Sequence, residues 1–220
     1  VRQLFHNYAN HTFVFLGDYA DRGPSQIETF NLVIAMALTA PERVIMLRGN
    51  HESDEVAQRY GFYYEVMKKY SRGVYNDYLN VFQVLPLAAI SERGVFACHG
   101  GIPEGVSSLE DMQHPDRFDI DFPDDTLFQF VWNDPKEADF RFAANSRGAR
   151  VRSFGRIAFD EFSNSLGVNL FFRAHEVFPE GIMTFFDKRL YSIFSASYHE
   201  RAMPKVVRLG GEFNVEIIPL

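Results

Sequence analysis

The chain has 220 residues, of which 46% are hydrophobic and 15% aromatic, enough for one large domain with a core of several layers. Its formal net charge of −7 argues against a nucleic-acid backbone as the main partner, because that binding rests on a clustered surplus of Lys and Arg. No apolar run approaches the roughly 18 residues of a membrane span, and nothing resembles a secretory h-region, so a cytoplasmic protein without membrane contact is expected.

The apolar run at residues 12–16 predicts a strand leading into GDYADRG at 17–23. Pro24 and Ser25 then start a helix over 25–39, with Ile27, Phe30, Ile34 and Leu38 at helical spacing. A second apolar run at 44–47 leads into RGNHE at 48–52, so strand, helix and strand make a right-handed parallel crossover. Residues 52–70 and 76–84 read as helices, and 88–90 with 95–98 as a strand pair around the turn SERG. The second of those strands carries Cys98, read as buried, and ends in His99, Gly100 and Gly101. With one cysteine the chain forms no internal disulfide, which agrees with a reducing compartment.

Residues 104–150 are irregular, rich in Asp and Pro, and predict a long functional loop region containing Trp132 and the tripeptide Asn133, Asp134, Pro135. Residues 156–166 form a helix with Phe159, Phe162 and Leu166 on one face and Gly167 as its C-cap. Strand-like runs follow at 168–172, 181–186, 189–194, 205–209 and 213–218, making the close of the chain largely antiparallel. The expected class is α/β, with two sheets facing one another and helices outside.

The chemistry gathers at strand ends, where open α/β sheets place it. Asp18, Asn50, His99 and His175 each follow an apolar strand, and the glycines at 17, 100 and 101 leave backbone room for a ligand. Taken singly, each has an ordinary role: a turn cap for Asp18, a polar turn for Asn50 and His51, a satisfied core or surface histidine for His99 and His175. Four together at strand ends favour chelation of a hard-to-intermediate metal ion, and the arginines beside them, Arg22 and Arg48, offer planar donors to a phosphate.

GDYADRG, LRGNHE, CHGG, WNDP, NSRGARVRSFG, FRAHE and FSASY occur in the order and near the separations of the phosphoprotein phosphatase family of metal-dependent serine/threonine phosphatases, which this chain resembles from Phe13 to about Tyr198. YGFYYE at 60–65 points the same way. The first two motifs are shared with other metallophosphoesterases, whereas NxRG, RAH and FSxxY narrow the likeness to this branch. It implies a calcineurin-like sandwich of two mixed sheets in four layers flanked by helices. By similarity Asp18 bridges two metals, while Asn50, His99 and His175 complete the shell of the second. Those ligand types suit manganese, iron or zinc better than calcium, and the implied nucleophile is a metal-activated water. The resemblance makes His51 the general acid and Asp21 the group that orients its imidazole, against a turn salt bridge to Arg22 as the plain structural role for Asp21. Arg22 and Arg147 match phosphate clamps, Tyr198 the tyrosine over the metal centre, and Asp134 an acidic position near the substrate.

Family members carry a further strand ending in GDxHG ahead of GDxxDRG, whose Asp and His hold the first metal. This sequence has only His6 and His11 there, so it is read as a single catalytic domain, 1–220, lacking an N-terminal segment, its first core strand and most of one metal site. An unpaired hydrophobic edge is expected as a result. After FSASY, His199 is read as a loop residue, and the short C-terminus as the close of a bare catalytic domain. The implied partners are phosphorylated proteins and regulatory proteins. A dinucleoside-polyphosphate hydrolase and a catalytically impaired phosphate-binding scaffold are the rival readings.

Overall fold

The computed structural model describes residues 1–113, 116–198 and 200–220. A short helix α1 (Arg2–Asn7) precedes strand β1 (Phe13–Phe15), helix α2 (Gln26–Thr39) and strand β2 (Val44–Met46). The first of these was not foreseen in RQLFHN. β1 and β2 pair in parallel with Phe13 opposite Val44, and α2 covers one face of the pair by burying Ile27, Phe30, Val33 and Met36. That is the expected crossover.

The helix expected over 52–70 is two helices, α3 (Asp54–Tyr60) and α4 (Phe62–Lys69). Gly61 sits between them at φ 121°, a conformation only glycine adopts freely, and it turns the chain. Ser53 caps α3 by accepting from the Val56 amide, and Ser71 caps α5 (Arg72–Val84) in the same way. The second cap starts α5 four residues before the apolar spacing alone suggests. These helices enclose an aromatic cluster of Tyr19, Phe30, Phe62, Tyr78 and Phe82.

Strands β3 (Ala88–Ile90) and β4 (Val95–Cys98) form the expected hairpin. The segment 104–150 corrects the sequence reading, because it holds helix α6 (Asp125–Trp132) and strands β5 (Asp134–Pro135), β6 (Phe142–Asn145) and the start of β7 (Gly148–Phe154). Asp124 caps α6 through the Leu127 amide, and Leu127, Phe130 and Val131 are buried at helical spacing. Those signals are present in the sequence but hidden by the surrounding Asp and Pro. Helix α7 (Arg156–Leu166) ends at Gly167 in the left-handed conformation, as its spacing predicts.

The remaining strands are β8 (Leu170–Arg173), β9 (Ile182–Phe185), β10 (Leu190–Ile193), β11 (Lys205–Leu209) and β12 (Val215–Pro219). A mixed five-stranded sheet has the order β3-β4-β8-β10-β9, with β4, β8 and β10 parallel and both outer strands antiparallel. β11 and β12 form an antiparallel pair, and β5-β7-β6 a small sheet of their own. The five-stranded sheet presents Ala97, Leu170, Phe172 and Tyr191 to Leu16, Ile45 and Leu47 beside the β1–β2 pair and to Val207, Leu209 and Val215 of the β11–β12 pair. Its other face packs Phe96 and Phe171 against α6 and α7. The result is the expected α/β sandwich with helices outside. No helix among the described residues is long and apolar enough to cross a membrane.

Candidate metal centre

The two facing sheets bring four strand ends to one point. Asp18 follows β1, Asn50 follows β2, His99 follows β4, and His175 follows β8. His99 Nε2 lies 3.0 Å from Asn50 Oδ1, 3.3 Å from Asp18 Oδ1 and 3.3 Å from His175 Nδ1, and that last nitrogen is 3.0 Å from Asn50 Oδ1. Ligand atoms of Asp18, His99 and His175 all fall within 4.8 Å of one another. The four residues singled out for chelation in the sequence are therefore gathered.

The donor set fits a cation. His99 Nδ1 donates to the Leu16 carbonyl at 2.6 Å, which fixes the tautomer and leaves Nε2 as a bare lone pair aimed into the cluster. Burial, ahead of any other influence, holds the pKa of His99 below its usual value, and burial with the neighbouring His99 drives that of His175 well below. In both rings the shift favours the neutral imidazole, the form that binds a metal. An imidazole lone pair, an amide oxygen and a carboxylate oxygen converging on one point are the donor types that a manganese, iron or zinc ion accepts. The buried Nε2 of His175 has no hydrogen-bond partner and lies 4.0 Å from Asp134 Oδ1.

His51 stands beside this cluster. Its Nδ1 is 2.6 Å from Asp21 Oδ2 and its Nε2 is 4.0 Å from Asp18 Oδ2. Asp21 is not the partner of Arg22 that a simple turn would make it; its other oxygen accepts the Phe62 amide at the start of α4. Burial lowers the pKa of His51, but the charge of Asp18 and the hydrogen bond and charge of Asp21 outweigh it, so the net shift is upward. Arg22 lies over the Tyr60 ring at 4.3 Å and donates to the Tyr198 hydroxyl. Arg147 donates through Nε to Asp134 Oδ2 at 2.8 Å. His199 lies outside the described residues.

Arg48 corrects an expectation. Far from offering donors to a phosphate, it is fully buried, and its guanidinium donates to the carbonyls of Glu52, Arg117, Asp119 and Ile120. It pins the loop preceding α6 to the loop after β2. Arg173, equally buried, does the same at the end of β8 by reaching Gly100 O, Asn133 O, Asp134, Glu176 and Ser192. In both cases the signal was an arginine directly after an apolar run, where burial demands several partners.

Glu52 was also missed. It is fully buried, and its two oxygens accept the backbone N–H groups of Asp18, Tyr19, Ala20 and Gly49 at 2.7, 2.8, 3.2 and 2.9 Å. One carboxylate thus fastens the loop after β1 to the loop after β2. Burial and the charge of Asp18 push its pKa up to about 7 against the pull of those amides. The fastening is needed because the loop is strained: Asp18, Asp21 and Arg22 have φ of 57°, 69° and 60°, and His175 has 64°. Each such residue costs on the order of 1–3 kcal/mol and persists only where its surroundings over-determine it. Gly17 and Gly49 complete the fit, since a side-chain carbon on Gly49 would collide with Asp18 and Glu52.

Residues 1–179 match the calcineurin-like phosphoesterase family. The chain is 37% identical over 186 residues to the serine/threonine-protein phosphatase PP2A-like PPG1 of Candida albicans, covering 84% of this chain and 44% of that protein. A Schizosaccharomyces pombe protein that bears a serine/threonine-protein phosphatase name is 36% identical over 186 residues, again 84% of this chain and 60% of its own length. The chain therefore spans about half the length of these curated relatives. A solved serine/threonine phosphatase from Saccharomyces cerevisiae, described as similar to human phosphatase PP5, superposes with a TM-score of 0.89 at 29% identity over 99% of this chain and 74% of that one. A cold-active protein-tyrosine phosphatase of Shewanella shares the fold, with a TM-score of 0.57 at 17% identity over 93% of this chain and 68% of that one. With the motifs, the gathered ligand set and these likenesses in hand, the chain belongs to the calcineurin-like phosphoesterase family, in its phosphoprotein phosphatase branch.

Proposed function

We propose that the protein hydrolyses phosphoserine and phosphothreonine esters of protein substrates, with metal-activated water as nucleophile and His51 as general acid. The observation that carries this reading is the His51–Asp21 pair, 2.6 Å apart, standing beside the Asp18, Asn50, His99 and His175 cluster. When bound, manganese, iron or zinc would supply Lewis acidity and lower the pKa of a water toward about 7. Asp18, Asn50, His99 and His175 would hold the ion. The family implies a second ion, for which Asp18 is the one ligand that the resemblance assigns within these 220 residues.

The chain's own groups do the rest. Asp21 accepts from His51 Nδ1–H, which keeps Nε2 as the face turned toward the substrate side, and the raised pKa keeps a larger fraction of the ring protonated. From Nε2 the proton passes to the departing serine or threonine oxygen as the P–O bond breaks. Arg22, steadied by Tyr60 and Tyr198, offers a planar fork to phosphate oxygens, and Arg147, held through Nε by Asp134, a second one. The likeness to named serine/threonine phosphatases supports a phosphoprotein substrate; a cytoplasmic location and regulatory protein partners are part of the proposal. Cys98, buried with its thiol pKa pushed up by burial, has no part in the chemistry.

The test is release of orthophosphate from a phosphothreonine peptide and from diadenosine tetraphosphate, with manganese present. The proposal expects turnover of the peptide alone. Turnover of the dinucleotide in its place would make the protein a polyphosphate hydrolase, and tight peptide binding without phosphate release would make it a phosphate-binding scaffold.

A further inference from the structure

A cavity of about 540 Å³ opens beside the metal centre, lined by Asp134, Lys136, Asn145, Ser146, Arg147 and Glu176 among others. It begins at groups already described, since Asp134 lies 4.0 Å from His175 Nε2 and Glu176 is the next residue in the chain. Its charges are almost all spent on one another. Asp134 accepts from Arg147 at 2.8 Å and from Arg173 at 3.0 Å, while Glu176 accepts from Arg173 at 2.7 Å. Two carboxylates and two guanidinium groups form a neutral set.

Lys136 stands apart from that set. Only its backbone is engaged, through the Phe154 carbonyl at 2.9 Å and the Ala138 amide at 2.8 Å, and among the described residues no ion pair or hydrogen bond holds its ammonium. It is exposed, yet it is fixed at its base by the end of β5, which pairs with β7. The acidic groups that follow it turn to another cation: Glu137 and Asp139 share Arg156 with Asp187, and Glu137 also accepts the Phe186 amide. The cavity wall therefore carries one ammonium with no charge partner among the described residues, next to the place where a phosphorylated side chain would bind. An ammonium on a flexible stem, unpaired and over a cavity able to admit a side chain, is suited to meeting a carboxylate on the ligand.

We propose that Lys136 is a specificity-determining residue that selects phosphopeptides with an acidic side chain adjoining the phosphorylated residue. This rests on the phosphopeptide reading above and names the substrate class within it. Surface charge pairs of this kind change affinity modestly, so the expected preference for a glutamate-flanked over a lysine-flanked peptide is about threefold to tenfold at low salt, shrinking as salt is added.

The experiment measures binding by fluorescence anisotropy of labelled phosphothreonine peptides that differ only in carrying Glu, Ala or Lys beside the phosphothreonine. The wild-type chain should bind in the order Glu, Ala, Lys. K136E should reverse the order, and K136Q should flatten it while leaving the unfolding midpoint of the chain unchanged. An equal affinity for all three peptides, or an order that K136E leaves intact, overturns the proposal. Because the readout is binding, it is independent of turnover. A chain that keeps the Glu-first order but releases no phosphate from any peptide retains this inference and loses the hydrolytic one.

Discussion

The β1–β2 pair and the five-stranded sheet serve the same centre by different means. The larger sheet places His99 and His175 at the ends of strands that are themselves interior: β8 is buried at all four residues, and Phe171 packs between Phe96 and Phe159. There, sheet pairing and close packing fix the two histidines. β1 is three residues long, pairs on one side with β2 among the described residues, and exposes Val14 by 41%. Little packing holds it. Asp18 and Asn50 are nonetheless in register with the histidines because the Glu52 carboxylate and the Arg48 guanidinium tie their loops by hydrogen bonds. Buried polar contacts can thus substitute for sheet area where the sheet is narrow, provided every donor and acceptor is met.

Four substitutions would break or sharpen this contrast. The largest expected effect is at His51, which neither sheet needs for stability: His51→Gln should lower turnover by about 10²–10⁴-fold, the usual contribution of a general acid, with metal content by elemental analysis unchanged. Loss of metal together with turnover would show that His51 belongs to the scaffold of the centre. Phe171→Ala in β8 should cost about 3–5 kcal/mol of global stability by urea unfolding, since it empties a closed aromatic core. A cost under about 1 kcal/mol would mean the larger sheet does not hold its histidines by packing.

Glu52→Gln should come next, at about 2–4 kcal/mol, because an amide cannot accept from all four backbone donors and leaves some buried N–H groups unmet. Its signature is local: metal affinity by calorimetric titration should fall by more than the unfolding midpoint suggests. An undiminished affinity would remove the fastening role. The smallest change is Val14→Thr at the exposed face of β1, expected within about 0.5 kcal/mol either way. If it rivalled Phe171→Ala, the two sheets would be alike in their energetics and the contrast would fail.

The convergence of Asp18, Asn50, His99 and His175 was legible because each stands just past an apolar run, and strand ends on one side of a sheet must meet. The pairing of His51 with Asp21 was legible only through the motif likeness, since spacing alone left Asp21 equally suited to a turn with Arg22. Glu52 was not legible, because its four partners are backbone amides, which are the same in every residue and leave no pattern to read. Arg48 was misread for a related reason: an arginine beside a site looks like a phosphate donor until the fold shows carbonyls of residues 117–120 already waiting for it. Helix α6 was lost among acids and prolines although Asp124 and its apolar spacing announced it. The divided helix at 52–70 shows the same limit, for Gly61 can be tolerated in a helix and its φ of 121° is decided by the packing on either side.

A single carboxylate gripping two loops has a mechanical corollary. Any thermal displacement that lifts residues 18–20 must carry Gly49 with it, so the tips of the two loops should drift as one body and the spacing between Asp18 and Asn50 should survive motions that shift both. Amide hydrogens at Asp18, Tyr19, Ala20 and Gly49 would then share one exchange rate with solvent deuterium, a synchrony that no account of these loops as independent segments would produce.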